Sequence, residues 1–293
     1  KRGNKSMTKL RLKRHGTFHI RDGWMEKALN AINENNDGKS IFRKEVGVAN
    51  LGIGSMMVTS LRYWMIASEI INEKDSQLTD FGRLLIEYDR YLDEGFSWWM
   101  IHLHLVSNFS DSPVFNVVFN HYKKGTFYKD DLVNYVYDYF KDVLSNEYGV
   151  PSEEYIDSDV SVLINTYYGV KITNPEDNLQ SPLTKLNLLK RNNEDKYYFS
   201  SPRRDSLPYL VVYYCLLKAL NGKDSINIDD LLELENNPGN IFCLDKNVLY
   251  LYLNEMKENG LITINKTAGL NMIYIQRTLT EAEIFEMFFE EGN

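Results

Sequence analysis

The helical architecture of this chain is decided by the sequence LGIGSMMVTSLRYWMIASEII, residues 51–71. Gly52 and Gly54 interrupt an apolar run and allow a tight turn, and Ser55 is predicted to cap the helix that follows. From there, apolar side chains recur at the three- and four-residue spacing of a helix with one buried face. That face is predicted to hold Val58, Leu61, Trp64, Met65, Ser68 and Ile71, with Ser55, Thr59, Arg62 and Glu69 opposite.

The segments on either side of this stretch extend the pattern. Helices are predicted over residues 24–32 and 41–50, and residues 72–76 form a polar hairpin before a return at 78–82. A short helix, a glycine turn, a longer helix and a hairpin are typical of a winged helix-turn-helix unit, which offers its second helix to the DNA major groove. A plain helical hairpin is the alternative. Arg62 is the one cation on the outward face, which weakens a DNA-binding interpretation of this helix.

A segment near the carboxyl end repeats this order more clearly. It predicts helices over 207–220 and 228–235, a turn over 236–240, a helix capped by Asp245 and ended by Gly260, and strands over 261–265 and 271–275. We therefore predict a mainly α fold, with two winged helix-turn-helix units flanking a helical middle region. The predicted boundaries are 1–95 for a basic arm with the first unit, 96–190 for the middle region and 191–293 for the second unit.

The composition is that of a globular protein. Of 293 residues, 43% are hydrophobic and 25% are charged, which excludes global disorder. The longest apolar run, Tyr209–Leu217, is far shorter than the roughly 18 to 20 residues of a membrane span. The two cysteines have no metal-ligand spacing and suit a reducing compartment. We expect a cytoplasmic protein that has no membrane partner.

Charge is distributed unevenly along the chain. The formal net charge is -8, yet residues 1–14 carry seven basic residues and no acidic ones. Such an arm can contact phosphates in a salt-sensitive way. A disordered start is the alternative.

Catalytic and metal-binding patterns are weak. The sequence has neither a phosphate-binding glycine loop ending in Gly-Lys-Ser/Thr nor a Gly-x-Ser-x-Gly nucleophile turn. His102 and His104 are two apart and point in different directions on a helix, so they cannot share a metal there. Candidate carboxylates for a metal-dependent nuclease, Asp130 with Asp131 and Asp157 with Asp159, rest on composition alone. We expect no enzyme activity, no cofactor and no metal.

One polar cluster near the start stands apart, His15, His19 and Arg21. These residues suggest a site, but Phe18 and Trp24 favour a structural segment that docks on the helices.

Several segments together resemble one family. They include HGTFHIRDGW at 15–24, LGIGSMMV at 51–58 with LRYW at 61–64, LTDFG at 78–82, WWMIH at 98–102, SPL at 181–183, NPG at 237–239 with FCLD at 242–245, and TAGL at 267–270. In this order they are similar to the bacterial family known as domain of unknown function 4007, over nearly the whole chain. Family members usually have Gly-Lys-Asn-Met at the helix turn. Here Ser55 and Met56 stand where the lysine and asparagine would be.

The resemblance implies a role linked to DNA. Family members tend to lie in gene neighbourhoods of DNA sulfur modification (phosphorothioation) and related anti-phage defence, beside a sulfurtransferase. We expect a non-catalytic DNA-binding or DNA-sensing accessory of such a modification or restriction system, with duplex DNA, phosphorothioated or not, as its partner. The alternative is a scaffold that docks the neighbouring sulfurtransferase or ATPase proteins. The residues predicted to contact DNA, mainly its phosphates, are Lys9, Arg11, Lys13, Arg14, Ser55, Thr59, Arg62, Lys246, Lys257 and Lys266.

Overall fold

The computed structural model describes residues 10–35, 37–123, 125–144, 149–170, 180–267 and 270–291. The described chain is mainly α-helical, as predicted. Its helices are α1 (Trp24–Asn35), α2 (Gly38–Ile41), α3 (Lys44–Leu51), α4 (Ser55–Ala67), α5 (Asp80–Asp89), α6 (Gly95–Ser107), α7 (Pro113–His121), α8 (Lys129–Val143), α9 (Glu153–Tyr167), α10 (Tyr209–Leu220), α11 (Asp230–Glu233), α12 (Pro238–Ile241), α13 (Lys246–Glu258) and α14 (Glu281–Glu291), with a 3-10 helix at Pro182–Leu186. The strands are β1 (Leu189–Arg191), β2 (Tyr197–Phe199), β3 (Ser225–Asn227), β4 (Ile262–Thr267) and β5 (Leu270–Ile275).

The glycine turn lies between α3 and α4, as predicted. Gly52 ends α3 in the left-handed region, at φ 65°, and its N–H donates to the Val48 carbonyl over 3.1 Å. Gly54, not Ser55, is the N-cap of α4, because the Gly54 carbonyl accepts the first intrahelical hydrogen bond, from Val58. The predicted face of α4 is buried. The helix ends at Ala67, four residues earlier than the apolar run, and Glu69 takes φ 58°.

A tight turn over residues 72–77 follows α4. Ile71 and Leu78 form an isolated antiparallel bridge, and the Asn72 N–H donates to the Gln77 carbonyl over 3.0 Å. The Thr79 hydroxyl then accepts from the Gly82 N–H at the start of α5. The predicted polar hairpin is therefore present in a very short form.

Helix α2 presses directly on this turn through Gly38. A Cβ atom at Gly38 would lie 1.8 Å from the Ser76 carbonyl oxygen, a distance that backbone cannot tolerate. We expect Gly38→Ala to lower the free energy of unfolding by about 1 to 3 kcal/mol, because the turn must move away from α2. Urea unfolding measures this loss. The control is Gly95→Ala, where nothing lies within 4 Å of the new Cβ; equal stability of the two variants would contradict the prediction.

Helix α6 runs through the middle of the structure. Every residue from Phe96 to Val106 is buried, and the helix packs on α7, α10, α12 and the 3-10 helix. His102 contacts the Tyr167 hydroxyl and the Ile241 carbonyl, whereas His104 contacts two carboxylates, those of Glu69 and Glu281. The prediction that the two histidines point in different directions is therefore confirmed.

The carboxyl-terminal elements follow the predicted order, with additions. Asp245 caps α13 by accepting from the N–H groups of Asn247 and Val248, and Gly260 follows with φ 68°. Strand β5 lies between β3 and β4, and all the pairings are antiparallel. The turn predicted over 236–240 was wrong in part, because Pro238 begins the short helix α12. Strands β1 and β3 were not predicted.

The last helix contacts one helix from each half of the chain. Helix α14 packs on α5 and α10, and Phe285 is fully buried. The rings of Phe96 and Phe288 stack with centroids 4.2 Å apart. Phe285 and Phe288 of this acidic helix therefore pack inward. Within the described residues, no helix has the length and apolarity needed to cross a membrane.

Candidate nucleic-acid interface

The basic arm, from residue 10 onward, is packed on the protein. An Arg11 Nη2 lies 2.5 Å from Glu73 and an Nη1 lies 2.8 Å from Asp111. The Lys13 N–H donates to the Asp159 carboxylate over 3.0 Å, and the Lys13 side chain lies 3.2 Å from Glu154. Arg11 and Lys13 therefore already have anionic partners. Lys9 lies outside the described residues.

The segment with His15, His19 and Arg21 packs as a structural element. His15 is fully buried, with its Nε2 3.0 Å from Asp159 and its ring stacked on Trp64. The Phe18 carbonyl accepts from the Trp64 indole N–H over 3.0 Å. The Arg21 guanidinium lies over the rings of Phe18 and Trp24. These contacts support the structural interpretation of the segment.

Cations from four parts of the sequence meet around the turn at 72–77. The Arg62 Nη2 donates to the Glu73 carbonyl over 2.6 Å, and its Nε donates to the Ser76 hydroxyl over 3.0 Å. The hydrogen bond from Arg11 lowers the pKa of Glu73, and the nearby charges of Arg62 and Arg14 add to this effect. Hydrogen bonds from the turn lower the pKa of Asp75, with Lys39 and Lys74 contributing through their charge. We call Arg11, Arg14, Lys39, Arg62 and Lys74 the basic cluster.

The basic cluster continues the outward face of α4. Ser55, Thr59 and Arg62 are spaced by four and three residues, so they lie along one side of the helix. Thr59 is exposed, and its hydroxyl donates to the Ser55 carbonyl over 3.3 Å. Met56, beside this face, is 65% exposed in the first turn of α4. The predicted residues of the first unit are thus brought together, and Arg62 joins them to the cluster.

Sequence reasoning missed Lys39 and Lys74. Both side chains are exposed. Lys39 reaches the cluster because Gly38 lets α2 approach the turn closely, although Gly38 and Ser76 are 38 positions apart in the sequence. The Asp37-Gly38 pair is the one local signal, since it predicts a turn that is followed by a lysine.

The second predicted unit has a less basic outer face. Lys246 is paired with Asp229 over 2.9 Å, and Lys257 is exposed beside Glu258 on α13. Leu251, on the same helix, is 53% exposed. The side chain of Lys266 lies outside the described residues. The structure therefore does not bring these three lysines together with the basic cluster.

Carboxylates line a cleft between α8 and α9. Its volume is about 330 Å³, and Asp130, Glu153, Glu154 and Asp157 contribute to its wall. Asp157 is paired with Lys129 over 2.7 Å, and Glu154 lies near Lys13. Asp159, the other acid of that motif, is buried under His15. Over the part of the chain that the structure describes, no three His, Cys, Asp or Glu side chains are grouped to hold a metal ion.

The fold and this cluster define a mainly helical protein in which several cations lie around the turn at 72–77. The chain belongs to the family described as protein of unknown function (DUF4007), whose model matches residues 12–289. A comparison with curated proteins finds no match.

Two solved structures share the fold. A magnesium ion-bound SspB crystal structure aligns with a TM-score of 0.79 at 24% identity, covering 96% of this chain and 87% of that chain. A second SspB crystal structure aligns with a TM-score of 0.78 at 22% identity, with the same coverage. At these identities the similarity shows the fold alone.

Proposed function

We propose that this protein is a non-catalytic DNA-binding accessory of a bacterial phosphorothioation or restriction defence system, and that it holds duplex DNA through its basic cluster. The convergence of five cations beside the outward face of α4 carries this proposal. Phosphates of a duplex are closely spaced anions, and a protein that neutralises several of them gains affinity by releasing counterions. The link to defence comes from the family resemblance.

The element order supports winged helix-turn-helix units as the framework of this function. Helices α2 to α4 with the short hairpin at 71–78 would form the first unit. Helices α10, α11 and α13 with the sheet of β3, β5 and β4 would form the second, with the β4–β5 hairpin as its wing. In such a unit the helix after the turn faces DNA, and this role falls to α4.

The proposed interactions are mainly with phosphates. Arginine, asparagine and glutamine make most of the base-specific contacts in the major groove. The described outward face of α4 offers Ser55, Met56, Thr59 and Arg62, and Arg62 is already held by the turn. Positioning on the duplex, without strong sequence preference, is therefore the expected mode.

The test is removal of the exposed cations of the cluster. We expect Arg14→Ala, Lys39→Ala and Lys74→Ala together to weaken binding to a ~20-base-pair duplex by at least about tenfold at ~50 mM salt. The slope of log affinity against log salt should fall by about 0.9 for each phosphate that the variant no longer neutralises. Fluorescence anisotropy between ~50 and ~200 mM salt measures both quantities.

The matched control removes three exposed lysines far from one another in the sequence and outside the cluster: Lys141, Lys185 and Lys223. It changes the net charge by the same amount, so its effect measures long-range electrostatics alone. If both triple variants lose affinity equally, the basic cluster is not the binding site. If the unmodified protein does not bind any duplex at ~50 mM salt, the DNA-binding proposal fails.

The non-catalytic part of the proposal has its own test. One structural neighbour is described as magnesium ion-bound, and magnesium with clustered carboxylates can hydrolyse phosphodiesters. The described carboxylates of this chain form no such group. Supercoiled plasmid is expected to stay supercoiled with the protein and ~5 mM Mg²⁺. Nicked product that disappears with chelator would overturn the non-catalytic assignment.

The second unit favours a further role as a scaffold. Its outer face combines the half-exposed Leu251 with Asp245, Glu258 and Asn254, a mixture better suited to protein than to DNA. Under this proposal it docks a neighbouring sulfurtransferase or ATPase. Leu251→Asp is expected to abolish co-purification with that partner without changing DNA affinity; unchanged co-purification would contradict the docking role.

A further inference from the structure

Glu73 lies beside the three arginines of the basic cluster. Its carboxylate lies 2.5 Å from the Arg11 guanidinium, and Arg62 is bound to its main-chain carbonyl. Arg14 is close enough to favour the ionised carboxylate. One arginine thus holds this carboxylate directly, a second holds the main chain of the same residue, and a third contributes its charge. Guanidinium groups bind phosphate as well as carboxylate.

The cations do not depend on the Glu73 carboxylate for their positions. Arg62 is held by the Glu73 carbonyl and the Ser76 hydroxyl, neither of which is part of that carboxylate. Arg11 keeps Asp111 as a second partner, at 2.8 Å. If the Glu73 side chain rotated away, Arg62 and Arg11 would each keep a partner that holds the guanidinium in place.

Displacing this carboxylate also costs little free energy. The Glu73 side chain is 56% exposed, so it can turn into water without leaving a buried charge. Ion pairs that are exposed to this extent contribute little to stability, because water screens them and ordering the side chains costs entropy.

We propose that Glu73 is an internal stand-in for a DNA phosphate, which occupies the anion site formed by Arg11, Arg14 and Arg62 until a phosphodiester displaces it. The inference rests on the proposed function and adds regulation to it. The carboxylate competes with single anions that bind the site weakly. A duplex supplies several phosphates at once and therefore displaces it. Binding is therefore weaker than five cations alone would give.

The experiment compares Glu73→Gln with Asp80→Asn in the same duplex titration by fluorescence anisotropy. Each variant removes one exposed carboxylate that is paired with an arginine of the same region, since Asp80 is paired with Arg83. We expect Glu73→Gln to bind the duplex about fivefold more tightly at ~50 mM salt, the effect of removing one unit-charge repulsion at a few ångströms in water. Its salt slope should steepen by about 0.9, the value for one more neutralised phosphate. Asp80→Asn should stay within about twofold of the unmodified protein.

A double variant tests whether the added affinity of Glu73→Gln depends on Arg11. Arg11→Ala with Glu73→Gln should lose the added affinity and slope, because the freed guanidinium is gone. Equal affinities for Glu73→Gln, Asp80→Asn and the unmodified protein would overturn the inference while leaving the proposed function intact. Failure of every variant to bind would overturn the proposed function first, and this inference with it.

Discussion

His104→Gln is expected to lower the free energy of unfolding by about 2 to 3 kcal/mol near pH 6 and to remove the alkaline loss of stability. His104 is buried on α6, with its Nδ1 2.6 Å from Glu69 and its Nε2 2.6 Å from Glu281. Both ring nitrogens face carboxylates, so both must carry protons. Glutamine can serve one carboxylate, which leaves the other without its histidine partner. Breaking a buried ion pair costs about 3 to 5 kcal/mol, less here because Glu69 is partly exposed.

The sign of the pH dependence follows from the imidazolium. Burial alone would lower the pKa of His104, but hydrogen bonds to Glu281 and Glu69 outweigh it and raise the pKa above its usual value, although Lys218 opposes them. Burial and the nearby charge of Glu281 raise the pKa of Tyr214, so this neighbour stays neutral. A raised histidine pKa gives stability that is complete below about pH 6.5 and is lost as the pH rises through the folded value.

Urea unfolding at pH 6, 7, 8 and 9 measures this dependence. The control adds Glu69→Gln and Glu281→Gln to the His104→Gln variant. Because all three side chains are then neutral, part of the lost stability should return. If His104→Gln keeps the alkaline slope of the unmodified protein, His104 is not the titrating group. Duplex affinity should be unchanged at pH 6, since the basic cluster lies on other residues.

Periodicity predicted the long elements well. The face of α4 and the cap at Asp245 follow from local spacing, which the sequence displays directly. The short elements α12, β1 and β3 span three or four residues, too few for a period to appear. They are set by tertiary pairing, as where β3 aligns with β5.

The candidate site could be predicted only in part. Arg62 was found because it shares a helix face with Ser55 and Thr59, which is a local property. Lys39 and Lys74 come together through the close approach of α2 and the turn, and the Asp37-Gly38 pair predicts a turn at that place but not the approach. Arg11 looked like a free arm residue, since its partners Glu73 and Asp111 are 62 and 100 positions away. Charge patterning therefore found Arg11, Arg14 and Arg62, but it found neither the two lysines nor the pairing of Arg11 with acidic residues.

His102 is expected to dominate the acid side of the stability profile. Its Nε2 lies 2.8 Å from the Ile241 carbonyl, which can only accept, so Nε2 carries the proton. Its Nδ1 then accepts from the Tyr167 hydroxyl over 2.6 Å. The neutral ring is fully satisfied, and burial lowers the pKa of His102 to about 4, despite the opposing hydrogen bond to Ile241.

The expected loss of stability follows from linkage. Between pH 6.5 and 4, the unfolded chain binds a proton at His102 that the folded protein does not, so unfolding is favoured as the pH falls. From pH 7 to pH 5 this amounts to about 2 kcal/mol, at about 1.4 kcal/mol for each pKa unit. His104 acts in the opposite direction between pH 7 and about pH 6, where the unfolded chain is still taking up its proton, and adds little slope below that.

His102→Gln isolates this effect. The glutamine amide can still donate to the Ile241 carbonyl but does not titrate, so the variant should be less stable at pH 7 and lose little more by pH 5. The control, His121→Gln, removes a partly buried histidine of α7 and should retain the acid slope. Parallel profiles for His102→Gln and the unmodified protein would show that the acid loss arises elsewhere. An NMR titration gives an independent answer, because the His102 ring must stay neutral at pH 5 while the protein is still folded.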